Sequence, residues 1–139
     1  MYSAKEAAEI TGLSTAVLRY YEREKLLPQI RRNRQKYRQY TEEDIEWIKM
    51  IQCMRMANIP IQSIKQYVSL LIQGGTTLEQ RYRMVQAHME NIKKQIADLQ
   101  NAFALTQSKL SFYEKLLKEP MHQNITYIDE WNLFQHGGL

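Results

Sequence analysis

The spacing of apolar side chains divides the chain into three stretches with different rhythms. In the first, "SAKEAAEITGLSTAVLRYYERE", Ser3 followed by Glu6 forms a capping box. Ala4, Ala7, Ala8 and Ile10 give the short helix behind it small apolar groups for close packing. Thr11, Gly12 and Leu13 break that helix, Ser14 caps a second one, and Val17, Leu18 and Tyr21 fall on its inward side. Two short helices joined by a three-residue turn containing glycine predict a helix-turn-helix. Pro28 in "LLP" stops the second helix. The following "QIRRNRQKYRQY" is too polar for a buried strand and reads as an exposed hairpin, a wing, turning near Asn33 to Lys36.

The second stretch runs from Thr41 to about Gly75. "TEED" supplies a cap and places acids in the first helical turn, where the helix dipole favours them. Ile45, Trp47, Ile48, Ile51, Met54 and Met56 surround much of that helix, which predicts burial between neighbours. After an interruption at Asn58 to Pro60, a further helix from about Ile61 to Ile72 turns Ile64, Val68, Leu71 and Tyr67 inward, and Gly74-Gly75 ends it.

The third stretch is one long helix. Thr76 with Glu79 and Thr77 with Gln80 read as overlapping capping boxes, and no proline or glycine follows until Pro120. Apolar positions then step by four and three: Leu78, Tyr82, Val85, Met89, Ile92, Ile96, Leu99, Phe103, Leu110, Tyr113 and Leu117, with Thr106 interrupting the seam. The mean step of about 3.5 is the coiled-coil period, and a helix of this length is a rod of roughly 60 Å. A rod that long outruns the small globule before it, so its stripe is expected to meet a second copy. Gross burial of the seam is on the order of 20 kcal/mol before entropy is subtracted, which favours an obligate homodimer. The remaining tail carries Ile125, Ile128, Trp131 and Phe134 at helical spacing and is expected to dock near the partner. The fold class is therefore mainly α, with domains expected at 1–75 (winged helix-turn-helix), 76–119 (coiled-coil dimerisation helix) and 120–139 (short C-terminal tail).

Charge sharpens this picture. The chain of 139 residues carries a net +4, but residues 1–40 hold nine cations against four acids, residues 41–119 ten against nine, and residues 120–139 none against two. A local positive field of this kind suits nucleic acid or an anionic membrane surface. No apolar run approaches the roughly 18 residues that cross a bilayer, and no secretory pattern opens the chain, so a cytoplasmic protein without a membrane partner is expected. One cysteine, Cys53, excludes an internal disulfide and fits a reducing compartment. There is no Gly-rich phosphate loop, no paired carboxylates with a histidine and no nucleophile with an assigned base, so an enzyme is not expected and no cofactor is implied.

The order helix-turn-helix, wing, two helices, long dimerising helix resembles the MerR family of bacterial transcription regulators. The resemblance is carried by "EAAEITGLSTAVLRYYEREKLLP" and "YRQYTEEDIEWI" and covers residues 1 to about 118. It departs from the family at Lys25 and Lys36, where glycine is usual and positive φ is expected, at about 1 kcal/mol of strain each. The resemblance implies a two-fold dimer joined by antiparallel long helices, with both recognition helices in the major grooves of a promoter palindrome. It also implies a bacterial, nucleoid-associated protein that distorts an overlong promoter spacer so that RNA polymerase engages both elements.

By position on the recognition helix, Thr15, Ala16 and Arg19 are candidates for base edges, with Arg19 able to fork onto guanine. Tyr20 and Arg23 are candidates for phosphate, as are Arg31, Arg32, Arg34, Tyr37 and Arg38 of the wing, of which Tyr37 and Arg38 match the family's usual wing contacts. Metal-sensing relatives need two or more thiolates near the end of the dimer helix, and this chain has none there. His88, His122 and His136 are too scattered to replace them, so no metal site is expected. Cys53, in "IQCMRMAN", resembles the lone cysteine of the aldehyde- and electrophile-responsive (NmlR/AdhR-like) branch, with Lys49 one turn earlier and Arg55 nearby to favour its thiolate. Its alternative role is a small core residue. Two other readings stand beside electrophile sensing. One is a regulator that binds drug-like molecules non-covalently through Met50, Met54, Met56, Tyr67 and tail aromatics. The other is an architectural DNA-binding protein without effector.

Overall fold

The computed structural model describes residues 1–137. Its elements follow the expected order: α1 Ala4–Thr11, α2 Thr15–Arg23, β1 Arg31–Arg32, β2 Arg38–Gln39, α3 Glu42–Met56, α4 Ile61–Gln73, α5 Leu78–Leu117 and α6 Tyr127–His136. Single 3₁₀ turns at Gly75–Thr77 and Pro120–Asn124 precede α5 and α6. The fold is thus mainly α, a winged helix-turn-helix followed by a long helix. Packing divides the chain into two compact units, residues 1–89 and 90–139, so α5 begins in one and ends in the other.

In the first unit, helix starts are written locally. Ser3 and Glu6 bond reciprocally as a capping box, Ser14 accepts from the Val17 N–H at 3.1 Å, and Thr41 and Asp44 form a second box. Gly12 closes α1 at φ 75°, the left-handed conformation that gives the turn its sharpness. Leu18, Leu26, Leu27, Ile30, Tyr40, Ile45, Ile48, Ile51, Ile59, Ile64 and Val68 fill one core. Trp47 is tied to it by its indole N–H, which donates to the Leu26 carbonyl at 2.8 Å and pins the "LLP" segment to α3. Across that segment Lys65 of α4 meets Glu24 at 2.5 Å.

Three expectations for this unit are corrected. Met56 is 81% exposed, and Cys53 is also exposed, so α3 has a solvent face as well as a buried one. On α4 it is Leu70 that is buried and Leu71 that is only half-buried, because Leu70 sits beneath the turn into α5, where its carbonyl accepts from Thr77. Thr77 itself is no helix cap: its hydroxyl lies 2.6 Å from the Leu70 carbonyl and 2.8 Å from that of Gly74. The threonine serves the end of α4 rather than the start of α5 because the 3₁₀ turn points it backward.

In the second unit, α6 runs back along α5. Phe112 and Phe134 meet edge to face at 5.3 Å, and Tyr113 donates to Glu130 at 2.9 Å. The Lys109 ammonium lies 4.2 Å from the Phe134 ring centre and 5.5 Å from that of Trp131. The four-residue stripe expected of the tail is therefore split. Phe134 packs on the chain's own α5, whereas Ile128 and Trp131 remain 55% and 57% exposed.

Candidate nucleic-acid interface

The wing is held at both ends. Its hairpin pairs Arg31 with Gln39 and Arg32 with Arg38, and Tyr40 continues the pairing through backbone bonds to Tyr2, ahead of α1. The turn falls at Asn33 to Lys36, as the sequence suggests. Asn33 supplies what a glycine would otherwise provide: its carbonyl accepts from the Lys36 N–H at 2.9 Å and its side chain from the Tyr37 N–H at 3.0 Å. Lys36 and Lys25 take φ of 67° and 58°, so both keep the backbone that favours glycine.

A residue absent from the sequence-based candidates ties the wing to the recognition helix α2. Glu22 accepts from Arg38 Nε at 2.5 Å and faces Arg32 Nη2 at 3.5 Å. Arg32 also donates to the Lys36 carbonyl at 3.3 Å, closing the hairpin. Two of the cations assigned to phosphate thus already share a carboxylate. The signal was present as an acid inside a cationic run, but its partners lie 10 and 16 residues away and only tertiary structure brings them together.

Between α2, the wing and the start of α1 lies an open cleft of about 550 Å³. Lys5, Arg19, Arg32, Lys36 and Arg38 line it beside Tyr2 and Tyr37, with Glu6 as the acid at its edge. On α2, Ala16, Arg19, Tyr20 and Arg23 are exposed and Thr15 is half-buried; the Arg23 guanidinium stacks over the Tyr20 ring at 5.6 Å. Arg31, Arg34 and Tyr37 are exposed on the wing, and Tyr37 is 71% accessible. Tyr21 and Tyr40 lie in the core, where burial raises both phenol pKa values. Lys5 and Lys36 join the sequence-derived candidates through this geometry.

Cys53 is exposed on α3. The neighbouring cations are partly engaged, since Lys49 Nζ pairs with Glu46 at 3.2 Å and Arg55 Nη1 donates to the Ile59 carbonyl at 3.4 Å. Met50 and Met54 pack against the core of the first unit. On α5 the seam is open along its length: Leu78, Tyr82, Leu99, Phe103, Leu110 and Leu117 are 61–79% exposed, Val85, Met89 and Ile96 are 50% exposed, and Tyr113 is 42% exposed. Ile92 is half-buried. No group of histidine, cysteine and carboxylate side chains able to hold a metal ion occurs among the described residues. No helix among them is long and apolar enough to cross a membrane.

A family model described as "MerR HTH family regulatory protein" matches residues 2–71. An uncharacterized HTH-type transcriptional regulator of Haemophilus influenzae is 34% identical over 114 residues, covering 82% of this chain and 84% of the relative. The HTH-type transcriptional regulator AdhR of Bacillus subtilis is 43% identical over 76 residues, 55% of this chain and 54% of AdhR. Among solved structures, HiNmlR, a MerR family regulator lacking the sensor domain and bound to promoter DNA, superposes with a TM-score of 0.83 at 31% identity, covering 89% of this chain and 98% of HiNmlR.

Proposed function

The chain belongs to the MerR family and is a DNA-binding transcriptional regulator, and from that premise we propose that it works as a homodimer which grips a two-fold promoter site and distorts the DNA between its half-sites. The observation that carries this reading is the cleft where Arg19 of α2 and Lys5 of α1 converge with Arg32, Lys36 and Arg38 of the wing. Arg19 and the start of α2 read base edges, while Tyr20, Arg23, Arg31, Arg34 and Tyr37 engage phosphates. Arg32 and Arg38 do the same with the groups that Glu22 leaves free. Residues 1–75 act as the DNA-binding part, 76–119 as the dimerisation helix and 120–139 as its terminal tail. The bare seam on α5 supports the dimer, because an apolar stripe of that length in water is unfavourable without a partner. RNA polymerase is the partner on the promoter, reached once the spacer has been untwisted.

The test is competitive binding to a promoter duplex and a scrambled one of equal length. Wild type prefers the promoter, and Arg19→Ala lowers that preference by about 1–3 kcal/mol while leaving scrambled binding nearly unchanged. Equal loss on both duplexes would place Arg19 on the backbone instead.

For the effector, the accessible thiol of Cys53 supports an electrophile-responsive switch. Met50 and Met54 are committed to the core, which leaves little of the methionine pocket that non-covalent sensing requires. With Cys53→Ser, promoter binding persists and induction by a reactive aldehyde is lost. Retained induction would remove Cys53 from the switch.

A further inference from the structure

The elbow between α4 and α5 is joined by side chains as well as by backbone. α4 ends at Gly74 with φ 91° and ψ −155°, a conformation that strains any residue with a Cβ. The last carbonyls of a helix have no partner within it and must find one elsewhere. Here they find Thr77, only 7% exposed, whose single hydroxyl hydrogen is shared between the Leu70 and Gly74 carbonyls at 2.6 and 2.8 Å. Arg81, one turn into α5, donates Nε to the same hydroxyl oxygen at 2.9 Å and Nη2 to the Gly74 carbonyl at 3.1 Å. The threonine hydroxyl is thus donor to α4 and acceptor from α5. The guanidinium fork donates to two acceptors at once, fixing direction as well as distance in a way a lysine ammonium would not. All of these groups lie within residues 1–89.

We propose that Thr77 and Arg81 form a latch that sets the angle at which α5 leaves α4, and through it the operator spacing the protein accepts. They are positioning residues, neither being part of the cationic cleft. This rests on the dimeric reading given above, in which the start of each α5 carries one DNA-binding part. A part of this size has a radius of gyration of about 12 Å. A swing of ~15° at the elbow therefore displaces its centre by about 3 Å, close to the ~3.4 Å rise of one base pair. An elbow held by backbone alone tolerates such a swing. A four-bond latch resists it and leaves the DNA to absorb any mismatch in spacing, at a cost that appears as discrimination.

The experiment uses the full chain and duplexes bearing the two-fold site protected on DNA upstream of its own coding sequence, with the central spacer kept or changed by one or two base pairs. Wild type is expected to prefer its own spacing by about tenfold. Thr77→Val, which keeps the shape and removes the hydroxyl, and Arg81→Ala are each expected to cut that preference to about threefold or less, with affinity for a single half-site within about twofold of wild type. Thr77→Ser restores the hydroxyl and the preference. Where Thr77→Val does not fold, the half-exposed Arg81 carries the test, with circular dichroism confirming that Arg81→Ala is folded. Folded variants that keep the full spacing preference overturn the latch. A wild-type dimer that binds all spacings alike overturns the latch as well, whereas a wild type that sediments as a monomer overturns the dimeric reading instead.

Discussion

At Glu22 one carboxylate holds two arginines of the wing against the recognition helix, at 2.5 Å from Arg38 and 3.5 Å from Arg32. These side chains are 23–44% exposed, so solvent screens the pair and its value lies in orientation more than in stability. Glu22→Gln is expected to release positive charge toward phosphate and steepen the log-log salt dependence of DNA binding by about 1, while the preference for promoter over scrambled DNA falls. Isothermal titrations between about 50 and 200 mM salt measure both; an unchanged slope would mean that the arginines meet phosphate equally well with the carboxylate in place. Glu24 makes a different prediction. Its hydrogen bond to Lys65, reinforced by the charge of that ammonium, holds its carboxyl below the usual value of 4.5. A carboxyl with a depressed folded pKa contributes stability above its unfolded pKa and loses it as pH falls through the folded value. The Tm difference between wild type and Glu24→Gln is therefore expected to be constant from neutral pH down to about 5 and to close below the ordinary carboxylate range. A gap that does not narrow as pH falls below that range would show that the ion pair is not its source.

At the scale of elements, what the sequence reveals depends on how far apart the determining residues stand. The caps at Ser3, Ser14 and Thr41 were legible because a helix start is decided within four residues. The wing turn at Asn33 to Lys36 was legible for the same reason, and the resemblance to the MerR pattern located the positive φ at Lys25 and Lys36. The start of α5 was misread because Thr77 has the composition of a cap, while its real partner, Leu70, lies in the previous helix. The expectation that Met56 is buried failed because apolar residues around a helix do not reveal which side lacks a neighbour. In the cationic site, the sequence supplied the charges but neither the Glu22 clamp nor the cleft, both of which depend on the wing folding back beside α2. The tail shows the same limit: spacing grouped Ile128 and Trp131 with Phe134, and only Phe134 packs against Phe112 of α5.

For the whole molecule, a modest net charge conceals a cationic first forty residues, and the well-filled core of the first unit is followed by a long helix, α5, whose apolar seam stands open. The first suits DNA, and the second is the face that the proposed dimer would cover. Neither explains regulation alone, because one winged helix-turn-helix unit meets only one half of a two-fold site. In the dimer proposed above, pairing through α5 would place two such units on one duplex. Sedimentation of the protein alone and with an operator duplex tests this most directly. The account predicts a stable dimer at micromolar concentration and a complex of two protomers on one duplex, whereas a monomer that loads the duplex one copy at a time would contradict it.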